Sequence, residues 1–204
     1  MHIQTPKIFH RLFPQLLWKV NVTSKIIYLT FDDGPHPKIT PKVLNILADY
    51  DAKASFFCVG DNVRKYPGTF REVMDAGHVT GNHTFHHLKG WVTSNEAYLE
   101  DVKSCHTLVN SSLFRPPYGK LKLSQIRALK KQYRLVMWSV ITYDYDQRLS
   151  PDKCLQRATE KTGPGDIVVF HDSKKAEKNL LVVLPRFLEY FSKRGYRFET
   201  LSNR

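Results

Sequence analysis

The chain has 204 residues, 42% hydrophobic and 25% charged, with 31 Lys plus Arg against 19 Asp plus Glu and a formal charge of +12. A chain of that length buries about 70% of its unfolded surface, enough for one core without disulfide staples, so a mini-protein scaffold and a long disordered chain are excluded. No apolar run approaches the roughly 20 residues of a bilayer span. The basic residues (Lys7, Arg11, Lys19, Lys130, Lys131, Lys174, Lys175, Arg186 and Arg197 among them) are spread along the chain, which favours a solvated basic surface over a dedicated nucleic-acid face.

The N-terminal stretch lacks an uninterrupted apolar h-region and a small-residue cleavage site, so no signal peptide is expected. Residues 1–24 read as an extension packed on a single domain spanning 1–204. Cys58, Cys105 and Cys154 are odd in number and form no CxxC pair, which fits a reducing compartment. Cytoplasm is therefore the default location, with cell-envelope association left open, and no protein partner is implied.

From residue 26 onward, short apolar segments alternate with amphipathic ones. Strands are expected over 26–31, 54–59, 78–82, 113–115, 134–140, 167–171 and 196–200, each rich in β-branched or aromatic residues and bounded by turn formers. Thr40-Pro41 supplies a capping hydroxyl and a first-turn proline before the stripe Val43, Leu44 and Leu47. Thr93 and Glu96 have capping-box spacing ahead of Leu99, Val102 and Cys105, and Ser150-Pro151 repeats the first device. Pro185 is expected to kink the last helix, around 180–193, or to mark its start. Strands separated by helices imply parallel βαβ units, in an incomplete (β/α) barrel or an open doubly wound sheet, and both place active sites at the carboxyl ends of the strands.

Four strand ends carry unusual residues. The first ends in Asp32-Asp33-Gly34-Pro35, good turn chemistry but also two adjacent carboxylates that repel unless a cation lies nearby. The third ends in His83-Thr84-Phe85-His86-His87, where a helical turn would put His83 and His87 on one face; two imidazoles and a carboxylate from the first strand suit a zinc site with an open position, while His86 points elsewhere. The fourth ends in Arg115-Pro116-Pro117-Tyr118-Gly119, offering a guanidinium for a bidentate contact with one aspartate and a stiffened loop that would fix the Tyr118 amide as a donor. The sixth ends in His171, on the same face as Ile167 and Val169.

The four blocks TFDDGP, HTFHH, RPPYG and VVFHDS, in that order, resemble the polysaccharide deacetylases, the NodB-homology enzymes of carbohydrate esterase family four. The resemblance covers most of the chain from residue 28 to 171. It implies a distorted (β/α) barrel of about seven parallel strands that uses a divalent metal, commonly zinc with cobalt as an alternative, to hydrolyse N-acetyl groups from amino sugars of a glycan. By matching positions it implies Asp33, His83 and His87 as metal ligands, Asp32 as general base and Arg115 as its partner. It further implies the Tyr118 amide as oxyanion donor, His171 as general acid, and Pro117, Tyr118, Val169 and Tyr145 as substrate contacts, with Val169 at the acetyl-methyl pocket.

One block departs from the family pattern. Ile141 stands where the family carries the aspartate that tunes the acid histidine, and Tyr145 stands where it carries a tryptophan. Without a carboxylate the His171 imidazolium loses stabilisation, so Asp144 or Asp166 is expected to substitute. Trp91, Tyr118, Tyr143 and Tyr145 are candidates for stacking on sugar rings. A related hydrolase of another non-peptide amide and a degenerate glycan-binding barrel are the competing readings.

Overall fold

A computed structural model describes residues 4–201, so residues 1–3 of the N-terminal extension and residues 202–204 of the expected 1–204 unit lie outside it. Seven parallel strands form one sheet. They are β1 (Ile26–Asp32), β2 (Ala54–Cys58), β3 (Val79–Asn82), β4 (Leu113–Phe114), β5 (Arg134–Leu135), β6 (Val140–Ile141) and β7 (Ile167–His171). Their order is β5-β4-β3-β2-β1-β7-β6, and a short β8 (Arg197–Phe198) pairs with the start of β1. The expected barrel, not the open doubly wound sheet, is the fold.

The central strand explains its own sequence. All seven residues of β1 are buried, so IIYLTFD shows no apolar–polar alternation. Ile27, Leu29 and Phe31 pack outward against a helical layer that includes Val43 and Leu47 of α2 (Thr40–Asp49) and Leu184 and Phe187 of α8 (Glu177–Ser192). Thr30 and Asp32 share the opposite face and meet the buried Arg115.

The expected 134–140 strand is corrected. The run 134–141 is extended but changes partner midway: its first part pairs with β4 and its last part with β7, so its two ends are the two edges of the sheet. The sheet thereby curls round on itself. Met137 and Leu135 bond across the gap to Leu17, whose neighbours Leu16 and Trp18 are buried beneath α6 (Leu123–Leu129). Residues 4–24 also include α1 (Lys7–Leu12) and bridges from Gln4 to Val140 and Lys19 to Asp166.

Three helix signals need revision. Thr40 is the first residue inside α2, not its cap, because its hydroxyl donates instead to Asp172. The cap of α5 (Asn95–Val109) is Ser94, whose Oγ accepts from the Ala97 N–H, so the Thr93–Glu96 box is one residue out of register. The last helix begins at Glu177 and runs through Pro185, which neither starts nor ends it. Ser150 does cap α7 (Pro151–Lys161). The three thiols are free and buried.

Candidate active site

The carboxyl end of β1 delivers two adjacent aspartates in opposite directions. Asp32, 4% exposed, points into the barrel, where its Oδ1 accepts from Arg115 Nη1 at 2.6 Å. Arg115 is fully buried, lies 4.1 Å from the centroid of Phe57, and also donates to Thr30 Oγ1 and to the carbonyls of Val136 and Met137. The contact with Asp32 is thus single, not the bidentate one expected, because the remaining donors are taken by the barrel wall. Burial pulls the Arg115 pKa down and Asp32 opposes that pull.

Asp33 turns the other way because its backbone is left-handed, with φ of 77°. Its Oδ1 lies 3.1 Å from His87 Nε2 and 3.8 Å from His83 Nε2, and one donor atom from each of the three falls within 4.8 Å of the others. The two histidines do not sit on a helical turn as expected. Residues 83–89 form a bend in which Thr84 and His87 both have positive φ. Asp101 of α5 clamps that bend, accepting from the Phe85 and His86 N–H groups and from His86 Nδ1. His86 is therefore structural and faces away from the cluster.

The cluster suits a divalent cation on the chemistry of its donors. His83 Nδ1 is 2.7 Å from the Arg115 carbonyl oxygen, which only accepts, so Nδ1 carries the proton and the Nε2 lone pair faces Asp33. Burial pushes the His83 pKa down to about 4, keeping it neutral. For Asp33, burial acts upward, but the His87 hydrogen bond and the His171 charge outweigh it and hold the carboxyl well below its usual range. Two imidazoles and one carboxylate would leave a divalent ion with a position open to water or substrate.

On the opposite wall, β7 ends in His171. Its Nδ1 is 2.8 Å from Asp144 Oδ1, and its backbone N–H donates to Asp144 Oδ2 at 2.8 Å. Asp144 is buried, and Asn179 of α8 pins the 144–149 loop through three carbonyls. Asp144 thus faces the histidine that Ile141 leaves without a carboxylate, whereas Asp166 pairs with Lys19. Burial lowers the His171 pKa, but Asp144 by charge and hydrogen bond, with Asp33 and Asp32, raises it to about 9. Tyr145 meets His171 edge-on, with centroids 4.8 Å apart.

A cavity of about 870 Å³ joins these walls, lined by Asp32, Asp33, His83, His87, His171 and Val169. The four aromatic candidates Trp91, Tyr118, Tyr143 and Tyr145 all reach it. Tyr118 is left-handed at φ 60° and packs edge-on against His87, while Gly119 has φ 66° and a Cβ there would press on Trp138. Pro117 is buried and does not line the cavity; Pro116 takes its place. Sequence reasoning missed the N-terminal wall, where Phe9, Phe13 and Leu16 line the same space. The i,i+4 spacing of Phe9 and Phe13 was the available signal.

A carboxylate paired with arginine and a cationic histidine, set on opposite sides of a metal-type donor cluster, defines a hydrolase barrel. Comparison with known proteins makes this specific. The sequence model of the family described as polysaccharide deacetylase matches residues 19–138. A peptidoglycan-N-acetylglucosamine deacetylase of Bacillus cereus is 35% identical over 195 residues, covering 91% of this chain and 90% of the relative. A chitooligosaccharide deacetylase of Azorhizobium caulinodans is 31% identical over 162 residues, covering 76% and 77%. The crystal structure of a peptidoglycan N-acetylglucosamine deacetylase in complex with 4-naphthalen-1-yl-N-oxidanyl-benzamide superposes with a TM-score of 0.89 at 27% identity, covering 97% of this chain and 95% of that one. The chain belongs to the polysaccharide deacetylase family.

Proposed function

We propose that the protein hydrolyses N-acetyl groups from amino sugars of a chitooligosaccharide or peptidoglycan-type glycan, releasing acetate. Asp33, His83 and His87 hold the divalent ion in this reading; zinc is the preferred ion and cobalt fits the same donors. The bound ion lowers the pKa of water and polarises the acetyl carbonyl. Asp32, oriented by Arg115, accepts the proton of the attacking water. The Tyr118 N–H, fixed by the 116–119 turn, donates to the developing oxyanion. His171, kept protonated by Asp144, gives its proton to the departing amine nitrogen, without which an amine is a poor leaving group. Val169 and Tyr145 form the wall beside His171, where the acetyl methyl is expected to rest.

The supporting observation is the opposed pairing of Asp32 with Arg115 and of His171 with Asp144 on one cavity. The same pairing argues against a barrel that binds glycan without turnover. Acetate release from N-acetylated chitooligomers and peptidoglycan fragments, measured with zinc added and with metal chelated, tests the reading. Chelator-sensitive release is expected. No release from any substrate, with metal bound, would move the assignment to another amide or to a binding-only barrel.

A further inference from the structure

The net charge is not spread as evenly as the basic residues are. Residues 1–31 carry four Lys or Arg and residues 102–143 carry eight, and neither stretch contains a single Asp or Glu. The remaining nineteen basic residues are matched by all nineteen acidic ones, so the whole +12 belongs to these two stretches. They are neighbours in the fold: Leu17 bridges to Val136, and Phe13, Leu16 and Trp18 pack with Ile126 and Leu129.

Among the described residues ion pairs are more frequent outside the two stretches, where eight Lys or Arg side chains reach a carboxylate. Arg64 and Lys65 pair with Asp61, Arg148 with Asp146, Arg186 with Asp152 and Lys193 with Glu189. In the acid-free stretches Arg115 is buried on Asp32, and Lys19 and Lys103 reach carboxylates outside them. Among the described residues Arg11, Arg127, Lys130 and Lys131 are exposed and reach none.

Large apolar side chains gather on this side. Ile8, Leu12, Trp91, Val92 and Leu123 are each more than half exposed. Ile8 and Leu12 are four apart on α1, with Arg11 beside them, and Leu123 and Arg127 are four apart on α6, so each helix presents apolar and basic residues together. Trp91 donates to the Leu121 carbonyl, tying its turn to the same patch. Phe9, Trp91 and Leu123 also line the catalytic cavity, whose mouth therefore opens within the patch.

We propose that this face docks on an anionic lipid bilayer. Ile8, Leu12, Val92 and Leu123 enter the headgroup layer, Arg11 and Arg127 lie over lipid phosphates, and the cavity is presented to the membrane surface. Peripheral membrane binding needs both apolar insertion and a cationic surround. A soluble polyanion would account for the charge but would leave the apolar side chains in water.

Co-sedimentation of the full chain with vesicles of equimolar phosphatidylcholine and phosphatidylglycerol, beside vesicles of phosphatidylcholine alone, tests this. Binding is expected only to the anionic vesicles and weakens as salt is added. An Arg11→Gln, Arg127→Gln double variant should bind about 25-fold more weakly, at about fivefold per charge. An Ile8→Ser, Leu12→Ser variant should lose at least about tenfold. Both should keep the wild-type unfolding midpoint and acetate release from soluble oligomers, which separates this test from the deacetylase assignment. Absence of binding to either vesicle overturns the proposal. So does binding that the serine variant leaves unchanged, which would mark a purely electrostatic polyanion surface, and so does a dimer in solution that the serine variant dissolves.

Discussion

Replacing Asp144 by Asn gives the sharpest test of the acid. His171 sits near 9 instead of its ordinary 6.5 because the Asp144 carboxylate outweighs burial, and burial alone acts downward. A general acid works in its protonated form, so wild-type activity should persist as pH rises and fall only as pH passes through about 9. In the variant the amide still accepts one hydrogen bond but carries no charge. The His171 pKa should then drop by at least about 2 units, worth roughly 3 kcal/mol at 1.36 kcal/mol per unit. Above the shifted pKa, activity relative to wild type should fall tenfold for each pH unit until the wild type loses its proton too. The assay is kcat/KM for acetate release against pH, joined to an NMR titration of the His171 ring protons assigned with a His171→Gln variant. Reading the difference between two proteins cancels charge effects of the Asp33 cluster common to both. An alkaline limb and a ring titration that do not move would refute the role given to Asp144, even if turnover fell.

Three further outcomes follow from the same geometry. Asp32→Asn should cut turnover by about 10²–10⁴-fold while zinc binding, followed by competition with a chromogenic chelator, stays intact. Arg115→Met should cost about 3–5 kcal/mol in urea unfolding, because it leaves Asp32 buried without its partner; a loss under about 1 kcal/mol would mean that the pair is effectively solvated. Asp172 is pushed up from 3.8 to about 7, first by burial and then by the Asp33 and Asp32 charges against the opposing Thr40 hydrogen bond. Because the folded chain keeps this proton after the unfolded chain has lost it, the Asp172 contribution to stability should fall as pH rises from about 4 to about 7, and Asp172→Asn should remove that slope from the pH dependence of the unfolding free energy.

Much of the barrel was legible because β1, β2 and β7 are buried, largely apolar runs bounded by turn residues, as strands covered on both faces are. The split of the 134–141 run was not legible, since periodicity reports which face a residue occupies and not which strand it pairs with. Thr40 was misread for a similar reason: its hydroxyl is claimed by Asp172, 132 residues away, and no local rule contains that partner. At the site, residue types and spacing gave His83, His87 and a carboxylate of the first strand, and the family resemblance singled out Asp33, but the left-handed backbone at Asp33 and His87 that joins them is a tertiary fact. Such conformations cost about 1–3 kcal/mol each and persist because the surroundings over-determine them. Among the described residues, five of the seven non-glycine positions with positive φ (Asp33, Thr84, His87, Tyr118 and Tyr143) lie at this rim. Asp144 was within reach of sequence reasoning as one of two replacements for the aspartate missing at Ile141, and the loop pinned by Asn179 separates it from Asp166.

The way the barrel closes ties its N-terminal segment to the base. Leu17 holds the 134–141 run through Leu135 and Met137, and Thr5 holds it through Trp138 and Ser139. The carbonyls of Val136 and Met137 in the same run grip Arg115, which grips Asp32. Residues 4–19 therefore reach the proton-accepting carboxylate through three consecutive hydrogen-bonded links. Removal or displacement of residues 4–19 is in consequence an active-site perturbation.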